Sequence, residues 1–438
     1  MAESDKAIEL RAGLVVVGAG PAGLAAALAA SRAGVDVVLL DAGPVAGGQV
    51  WRARQGVAAA PVARALAGLA REGVRVLAGT RVVMPLPGRT LLIEGPDGAR
   101  RLHWSRLVLA TGARERLLPF PGWTLPGVFG AGGLQALVKG GWPIAGKRVL
   151  VAGTGPLLLA AAATLRREGA QLAGLAEEAG PLELARFAAS LLAHPGKGLQ
   201  ALRLGAALVG TPLLAGRRIV AAEGHGRVER VVLEEGGRTR TIACDALAAS
   251  WGLAPQTDLG QALGCALAPR HSADALAVDS TQRTNVTGVF AAGECTGVAG
   301  ACAAQLQGEI AGRVVAAQLA SAPPPSDHLA RRLAREQAFA AAVAATFAPP
   351  ANWATRLRDD TLVCRCEDVP WSALRDQPDL RAAKLATRCG MGHCQGRLCH
   401  DTLASVMHWP RLPVRPPLTP APLAALLAAH EPSSTEES

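Results

Sequence analysis

The stretch Leu14-Val-Val-Val-Gly-Ala-Gly-Pro-Ala-Gly23 decides the fold. Its four apolar residues predict a buried strand, its glycines a tight turn, and the alanine-rich sequence after it a helix. In such a turn the first glycine permits the bend, the second lets the backbone approach a pyrophosphate, and the third allows close packing of helix on strand. The helix N-terminus adds N–H donors for phosphate. The predicted dinucleotide contacts are Gly18, Gly20, Pro21, Ala22 and Gly23.

A carboxylate follows at the spacing that a ribose contact needs. The second predicted strand, Val35 to Leu40, ends at Asp41, which is 23 positions after Gly18. An acid there bonds an adenosine ribose and favours an adenine dinucleotide without a 2′-phosphate. Glycine turns also occur for packing alone, but the strand, helix and acid together favour nucleotide binding.

Two later strands repeat the pattern of an apolar run ending in a small-residue turn, Leu107-Val-Leu-Ala-Thr-Gly-Ala113 and Gly288-Val-Phe-Ala-Ala-Gly-Glu294. Either alone would indicate only sheet core. Together with the first stretch they resemble the glutathione reductase superfamily, flavoproteins with two dinucleotide-binding domains. The resemblance implies that the late motif lies along the pyrophosphate and ribityl chain of FAD, where an acid bonds a ribityl hydroxyl. The FAD contacts that it implies are Thr111, Gly112, Gly293 and Glu294, with Glu where Asp is commoner.

The same resemblance places the loop Gly47-Gly-Gln-Val-Trp51 beside the flavin, through Gly48 and Gln49, and the backbone near Val82 beside the adenine. Enzymes of the glutathione reductase type carry a redox cysteine pair near this loop. This sequence has none there, so a dithiol reductase is not favoured.

A second Rossmann-like turn lies in Lys147-Arg-Val-Leu-Val-Ala-Gly-Thr-Gly-Pro-Leu-Leu158. Gly153 and Gly155 are present, but the third position is Leu158, whose bulk would displace the helix or fill the phosphate space. Glu177 or Glu178 stands at the ribose-acid spacing. We expect a degenerate, structural unit ahead of an NAD(P)H site, and binding of some adenine nucleotide is left open.

Composition indicates a globular chain with several cores. Its 438 residues are half apolar, and their net charge of +10 comes from scattered arginines, not from one basic run. Nucleic acid is therefore not an expected partner, while an acidic protein partner or loose membrane-surface association is left open. No apolar run has the length of a bilayer span, and the first residues lack a signal-peptide pattern, so we expect a cytoplasmic protein, at the inner face of the membrane if it associates with one.

Five of the nine cysteines lie close together in sequence. Val363-Cys-Arg-Cys-Glu-Asp-Val369 and Thr387-Arg-Cys-Gly-Met-Gly-His-Cys-Gln-Gly-Arg-Leu-Cys399 supply a CxC and a Cx4C pair separated by 27 residues. Four thiolates on two loops suit a 2Fe-2S cluster or zinc, and a flavin domain in the same chain favours iron-sulfur.

The cysteine segment resembles the bacterioferritin-associated ferredoxin-like domain. By that resemblance the ligands are Cys364, Cys366, Cys394 and Cys399. Cys389 is a fifth thiol that could replace Cys394, although a structural role is preferred for it.

The order of these motifs resembles the FAD and iron-sulfur subunits of heteromeric amino-acid dehydrogenases, the group of the opine oxidase, hydroxyproline dehydrogenase and hydrogen cyanide synthase complexes. The resemblance implies an electron-transfer subunit that accepts electrons from an amine-oxidising flavoprotein subunit, similar to D-amino-acid or sarcosine oxidases, and passes them to a quinone or another respiratory acceptor. The amine would be of hydroxyproline, opine, proline or glycine type. It is left open whether FMN binds between subunits and whether a small ferredoxin-like protein also joins the complex.

Two other functions are weighed against this one. A self-contained NAD(P)H-dependent flavin and iron-sulfur reductase is the main alternative, and a non-catalytic docking protein is the third. The predicted fold class is α/β, with a glutathione-reductase-like pair of Rossmann-type domains and a small C-terminal helical 2Fe-2S domain. The predicted divisions are residues 1–120 and 245–320 for the FAD domain, 121–244 for the second Rossmann domain, 321–360 for a linker and helix, 361–410 for the 2Fe-2S domain and 411–438 for a Pro-rich tail.

Overall fold

A computed structural model describes residues 8–270 and 273–429, in two compact units. Of these residues, the first unit takes those up to Arg114, then Ala254–Ala340, and those from Pro413 on. The second unit comprises Glu115–Leu253 and Ala341–Leu412, which includes the cysteine segment. The charged N-terminal residues and the final Ser-Ser-Thr-Glu-Glu-Ser lie outside the described residues.

The regular elements are numbered in chain order. The strands are β1 (Ile8–Val17), β2 (Val37–Asp41), β3 (Arg75–Ala78), β4 (Arg81–Leu86), β5 (Thr90–Gly95), β6 (Gly98–Leu109), β7 (Ala113–Glu115), β8 (Val128–Gly130), β9 (Arg148–Gly153), β10 (Gln171–Glu177), β11 (Leu213–Ala215), β12 (Arg218–Glu223), β13 (Arg230–Glu235), β14 (Arg238–Ala243), β15 (Ala246–Ser250), β16 (Leu253–Pro255), β17 (Leu267–Arg270), β18 (Ala273–Leu276), β19 (Val289–Ala291), β20 (Leu362–Cys364) and β21 (Val369–Pro370). The α-helices are α1 (Pro21–Ser31), α2 (Ala60–Arg71), α3 (Ala131–Lys139), α4 (Pro156–Arg167), α5 (Pro181–Ser190), α6 (Pro195–Ala206), α7 (Asp258–Ala262), α8 (Gly300–Leu319), α9 (Asp327–Thr346), α10 (Leu380–Thr387), α11 (Cys399–Met407) and α12 (Leu423–Leu427).

The first unit contains the sheet that the opening stretch predicts. Strands β3, β2, β1, β6 and β19 lie side by side in parallel, and β5 and β4 extend the long β6 as an antiparallel meander. All three motif strands are therefore neighbours, and parallel strands end at one edge of a sheet. Their glycine turns meet at that edge.

The second unit repeats the design with a parallel sheet in the order β11, β10, β9, β15 and β8 and an antiparallel meander of β12, β13 and β14. The prediction of two Rossmann-type α/β sheets is confirmed. Because β15 (Ala246–Ser250) lies between β9 and β8, the chain returns to the first unit at Ala254, later than the predicted residue 245. The first division likewise comes at Glu115 instead of residue 121.

The described part of the Pro-rich tail packs on the meander of the first unit. The Leu418 N–H donates to the Val83 carbonyl at 2.7 Å, and the Arg101 guanidinium donates to the Ala428 carbonyl at 3.0 Å. Val83, Leu92 and Ala428 form a small apolar cluster there. The tail thus covers its own chain as far as residue 429.

None of the described helices has the length and apolar character needed to cross a bilayer.

Helices α1 and α8 pack with almost no space between their backbones. A Cβ atom at Gly308 would lie 2.0 Å from the Ala22 carbonyl oxygen, and one at Gly312 would lie 2.3 Å from the Ala26 carbonyl oxygen. Only hydrogen fits at either position. These two glycines, four residues apart on one face of α8, fix α8 against the helix that follows the dinucleotide turn.

We expect Gly308→Ala to lower the free energy of unfolding by about 3 kcal/mol, because the added methyl group meets backbone that cannot move alone. Urea denaturation followed by circular dichroism measures the change. Gly205→Ala in α6 is the matched control, since a Cβ there meets nothing within 4 Å, and helix propensity predicts a gain of up to about 1 kcal/mol. Equal midpoints for the two variants would show that the close packing is not needed.

Candidate dinucleotide and cysteine sites

The first glycine turn has the shape of a dinucleotide cradle. Gly18 has φ +104°, and a Cβ there would lie 2.3 Å from the Ala110 carbonyl oxygen, while one at Gly23 would lie 1.7 Å from the Gly18 carbonyl oxygen. At Gly20 the nearest atom to such a Cβ is 4.0 Å away, on Gly48. Two glycines are thus required by packing, and the third leaves its backbone open to a ligand.

Asp41 lies at the end of β2, as predicted, and braces the turn. One carboxylate oxygen accepts the Ala19 N–H at 2.7 Å and the other accepts the Gly43 N–H at 2.7 Å. A carboxylate has about four acceptor positions, so two remain for a ribose. That contact stays a prediction.

The loop predicted beside the flavin lies against the same turn. The Gly47 N–H donates to the Ala19 carbonyl at 2.8 Å. Gly48 has φ +59°, and a Cβ there would lie 3.1 Å from the Gly20 Cα. The Gln49 side chain accepts a hydrogen bond from Arg52 at 2.8 Å. The loop therefore lies next to the turn, whereas its flavin contact stays a prediction.

Thr111 and Gly112 follow β6 at this edge of the sheet. The Thr111 hydroxyl donates to the Gln256 carbonyl at 2.7 Å, and the Gln256 N–H donates to the Gly112 carbonyl at 2.9 Å. Val82, by contrast, is a buried residue of β4 paired with Ile93 of β5. Its proposed adenine contact also stays a prediction.

The late motif is held by a buried amide that sequence reasoning missed. Gln307 of α8 accepts the Gly293 N–H at 2.8 Å and donates to the Thr296 hydroxyl at 3.1 Å, which in turn donates to the Gly293 carbonyl at 2.9 Å. A Cβ at Gly293 would lie 2.8 Å from the Ala22 Cβ. The signal in the sequence was a glutamine on the apolar side of a helix, next to Gly308.

Glu294 lies in a sheltered position beside this network. Burial raises the pKa of its carboxyl group, while a hydrogen bond from the Gly300 backbone opposes the shift. The neighbouring Cys295 thiol is fully buried and contacts the Leu109 and Ala292 carbonyls, and burial raises its pKa to about 11. Cys295 is therefore a neutral packing residue, and Glu294 is the polar group available to a ligand.

These residues fit FAD. The open backbone at Gly20, the N-terminus of α1 and the sheltered Glu294 supply the donors and the acceptor that a pyrophosphate and a polyhydroxyl chain need. The motif turns that carry them belong to neighbouring strands of one unit.

The second glycine turn has the same bends but different neighbours. Gly153 and Gly155 have φ of +128° and +104°. Leu158, at the third position, is fully buried in the core of the second unit, so α4 stands far enough from β9 to hold a leucine. The Glu177 carboxylate accepts the Gly155 N–H at 2.9 Å and the Ala179 N–H at 3.0 Å. Burial raises the Glu177 pKa.

The segment after α9 covers this second turn. Phe347 Cβ lies 3.7 Å from the position of a Cβ at Gly155, and the Phe347 ring packs edge-on against Phe187 at 5.0 Å. Arg356 pairs with Glu178 at 3.0 Å, with side chains only 12% and 9% exposed.

Tryptophans complete this covering contact. Trp251 donates to the Glu178 carboxylate at 2.8 Å and packs against Trp353 at 5.0 Å, while Arg356 lies over the Trp353 ring at 4.6 Å. Trp353 in turn donates to the Pro119 carbonyl at 2.7 Å. The chain's own side chains therefore engage both acids that stand at the ribose-acid spacing.

We expect Arg356→Met to destabilise the second unit by about 3 kcal/mol, because it leaves the Glu178 carboxylate buried without its counter-charge. The double variant Glu178→Gln with Arg356→Met should recover part of that loss. Urea denaturation followed by tryptophan fluorescence reports on Trp251 and Trp353 directly. If the single and double variants were equally unstable, the ion pair would not hold the covering segment.

Three cysteine thiols form a buried cluster. The Sγ atoms of Cys364, Cys389 and Cys399 lie within 4.8 Å of one another. Hydrogen bonds from the Cys389 and Cys399 thiols hold the pKa of Cys364 well below its ordinary value. Closely spaced sulfurs with one group poised as a thiolate suit a metal or an iron-sulfur cluster.

Cys366 and Cys394 contact each other at the more exposed side of this segment. The predicted ligands are thus brought together, but with the fifth thiol, Cys389, inside the buried group. A Cβ at Gly392 would lie 2.3 Å from the Cys366 Cβ, which explains that glycine. Which four thiols bind iron stays a prediction.

The Pro/Gly-rich segment of the second unit docks the cysteine loops. The Trp123 indole donates to the Leu362 carbonyl at 2.6 Å, and Arg365 lies over the Trp123 ring at 5.9 Å. The Thr402 hydroxyl donates to the Leu117 carbonyl at 3.3 Å. This segment therefore positions the CxC pair, a role that its sequence does not reveal.

We expect Cys394→Ser to abolish the visible absorption and the iron content of a 2Fe-2S cluster, and Cys389→Ser to retain both. Iron and sulfide analysis of the purified full chain measures this. Cys302→Ser, at an exposed cysteine of α8, is the control. The opposite pattern would make Cys389 the third ligand, and zinc without iron in the unaltered chain would exclude the cluster.

Comparison with known proteins identifies relatives along the chain. Residues 12–320 match the family model described as Pyridine nucleotide-disulphide oxidoreductase. The HcnB subunit of hydrogen cyanide synthase from Pseudomonas aeruginosa is 34% identical over 421 residues, which cover 88% of this chain and 90% of the relative. An opine oxidase subunit of Rhizobium meliloti is 33% identical over 464 residues, which cover 95% and 99%. The solved structure of L-proline dehydrogenase from P. horikoshii has a TM-score of 0.72 at 19% identity, covers 97% of this chain and 81% of that one, and shows likeness of fold.

Proposed function

Because the chain belongs to the pyridine nucleotide-disulphide oxidoreductase family, in the group of HcnB and the opine oxidase subunits, we propose that it is the electron-transfer subunit of a multi-subunit amino-acid dehydrogenase. It is an oxidoreductase, and the family supports FAD as its cofactor. In this proposal a separate flavoprotein subunit oxidises a small amino acid or secondary amine, and this chain passes the electrons to a quinone or another respiratory acceptor.

The observation that carries the proposal is the closed second turn. The Gly155 N–H is bonded to Glu177, Phe347 lies against Gly155, and Glu178 is paired with Arg356. A nicotinamide dinucleotide would have to displace all three contacts and leave charges unpaired in a buried place. The electrons are therefore proposed to come from another subunit instead of NAD(P)H.

The chain's residues supply binding and positioning. When bound, FAD stores two electrons and a 2Fe-2S cluster transfers one at a time. The first glycine turn would hold the phosphates, and Glu294 would accept a ribityl hydroxyl. Trp123 and Arg365 fix the CxC loop through the Leu362 carbonyl and the Trp123 ring. An electron-transfer role needs such fixed distances, and it needs neither a nucleophile nor a general base in this chain.

The test is an anaerobic absorbance titration of the cofactor-loaded full chain. We expect NADH and NADPH to leave the flavin and cluster absorption unchanged, while dithionite bleaches both. With an amine-oxidising subunit bound, addition of proline, hydroxyproline, glycine or an opine should bleach them.

Three outcomes would contradict the proposal. Rapid bleaching by NADH or NADPH would show an open second turn and make the chain a self-contained reductase. Amine oxidation by this chain without a partner would move the substrate site onto it. Failure to retain flavin would favour a docking protein without redox chemistry.

A further inference from the structure

One surface of the second unit exposes large apolar side chains in an unusual concentration. Helix α5, the short 3-10 turn Leu191–Ala193 and helix α6 contain no buried residue, in a stretch that the structure describes throughout. Leu192 is 86% exposed, Leu202 73%, Leu182 62% and Leu199 50%. Single exposed leucines are ordinary, but four in two adjoining helices mark an interaction site.

The spacing of these side chains places apolar and basic groups together. In α5 the exposed Leu182 is followed four residues later by the exposed Arg186, and in α6 Leu199 is followed likewise by Arg203. Residues four apart lie on one side of a helix. Each helix therefore presents a leucine beside a long basic side chain, with exposed alanines around them.

The charge of this surface is positive. Between residues 181 and 213 the basic residues are Arg186, Lys197 and Arg203, and Glu183 is the one acidic residue. The Glu183 carboxylate accepts the Gly180 N–H at 2.7 Å, which places it at the start of α5. The occupant of the surface must therefore offer both apolar volume and negative charge.

We propose that this leucine–arginine face, the exposed sides of α5, the 3-10 turn and α6, binds the surface of an anionic lipid bilayer. Leucines can enter the boundary of the acyl chains while arginines reach up to the phosphates, as in helices that lie in a membrane interface. Tryptophan and tyrosine, which dominate the centres of protein interfaces, are absent from residues 181–213. That composition favours lipid over a protein partner.

The inference goes beyond the electron-transfer role and can fail independently of it, since membrane binding is measured without any redox reaction. If both hold, they fit together, because a quinone acceptor is apolar and dissolves in the bilayer. The face would then bring an oxidoreductase without a described membrane-spanning helix to its acceptor.

The test is flotation of the cofactor-loaded full chain with vesicles of phosphatidylcholine alone or mixed with phosphatidylglycerol. We expect the chain to float with the mixed vesicles. Replacing Leu199 and Leu202 by serine should weaken binding at least about tenfold. Replacing Arg186 and Arg203 by glutamine should weaken it on the order of 30-fold, a factor of about five for each charge.

The matched control is Leu423→Ser, at a leucine of α12 that is 71% exposed and lies outside this face. It should float like the unaltered chain. Absence of flotation with the mixed vesicles would overturn the proposal, as would serine variants that still float. If the serine variants instead lost their complex with the amine-oxidising subunit while no form bound vesicles, the face would be a protein interface.

Discussion

The start of helix α1 is confined on two sides by backbone atoms, and much of the first unit depends on that contact. Gly23 must carry no side chain because the Gly18 carbonyl oxygen lies against it, and Gly308 must carry none because the Ala22 carbonyl oxygen lies against it. These contacts hold α8 beside α1, and α8 supplies Gln307, whose amide binds the Gly293 backbone. The close packing of two helices thus determines where the Glu294 turn stands relative to the phosphate-binding end of α1.

The two units show how one turn can keep its shape and change its use. In the first unit the third glycine lets α1 approach, and Asp41 braces the turn while its N-terminal donors stay open. In the second unit Leu158 fills that position, and the Glu177 carboxylate takes the Gly155 N–H that an open turn would leave free. An internal carboxylate is always present, so a phosphate would have to displace it. Burial raises the Glu177 pKa and two backbone donors oppose the shift, which is the balance expected of an anion held inside the protein.

The sequence predicted the parts of the fold that depend on neighbouring residues. The three motif strands, their glycine turns and the acid ending β2 all follow from local patterns, and the structure confirms them. It could not predict that Glu178 pairs with Arg356, because 178 residues separate the two. The same reason hid the covering role of Phe347 and the true place of β15, whose apolar residues suit either sheet. Among the five clustered cysteines, spacing alone could not decide, since the connecting segments are long enough to bring any four together.

The docking of the cysteine segment follows from the chemistry of the segment beneath it. Proline has no N–H and glycine turns expose their neighbours' carbonyls, so residues 117–127 offer acceptors that no regular element uses. Thr402 bonds the Leu117 carbonyl, and Trp353 bonds the Pro119 carbonyl. Trp123 reverses the direction by donating to the Leu362 carbonyl. Because most of these bonds end on backbone atoms, substitutions in the proline-rich segment can leave them intact. The position of the CxC loop then depends chiefly on the donors, Trp123, Trp353 and Thr402, and these side chains define the rigid support that electron transfer through the cysteine segment requires.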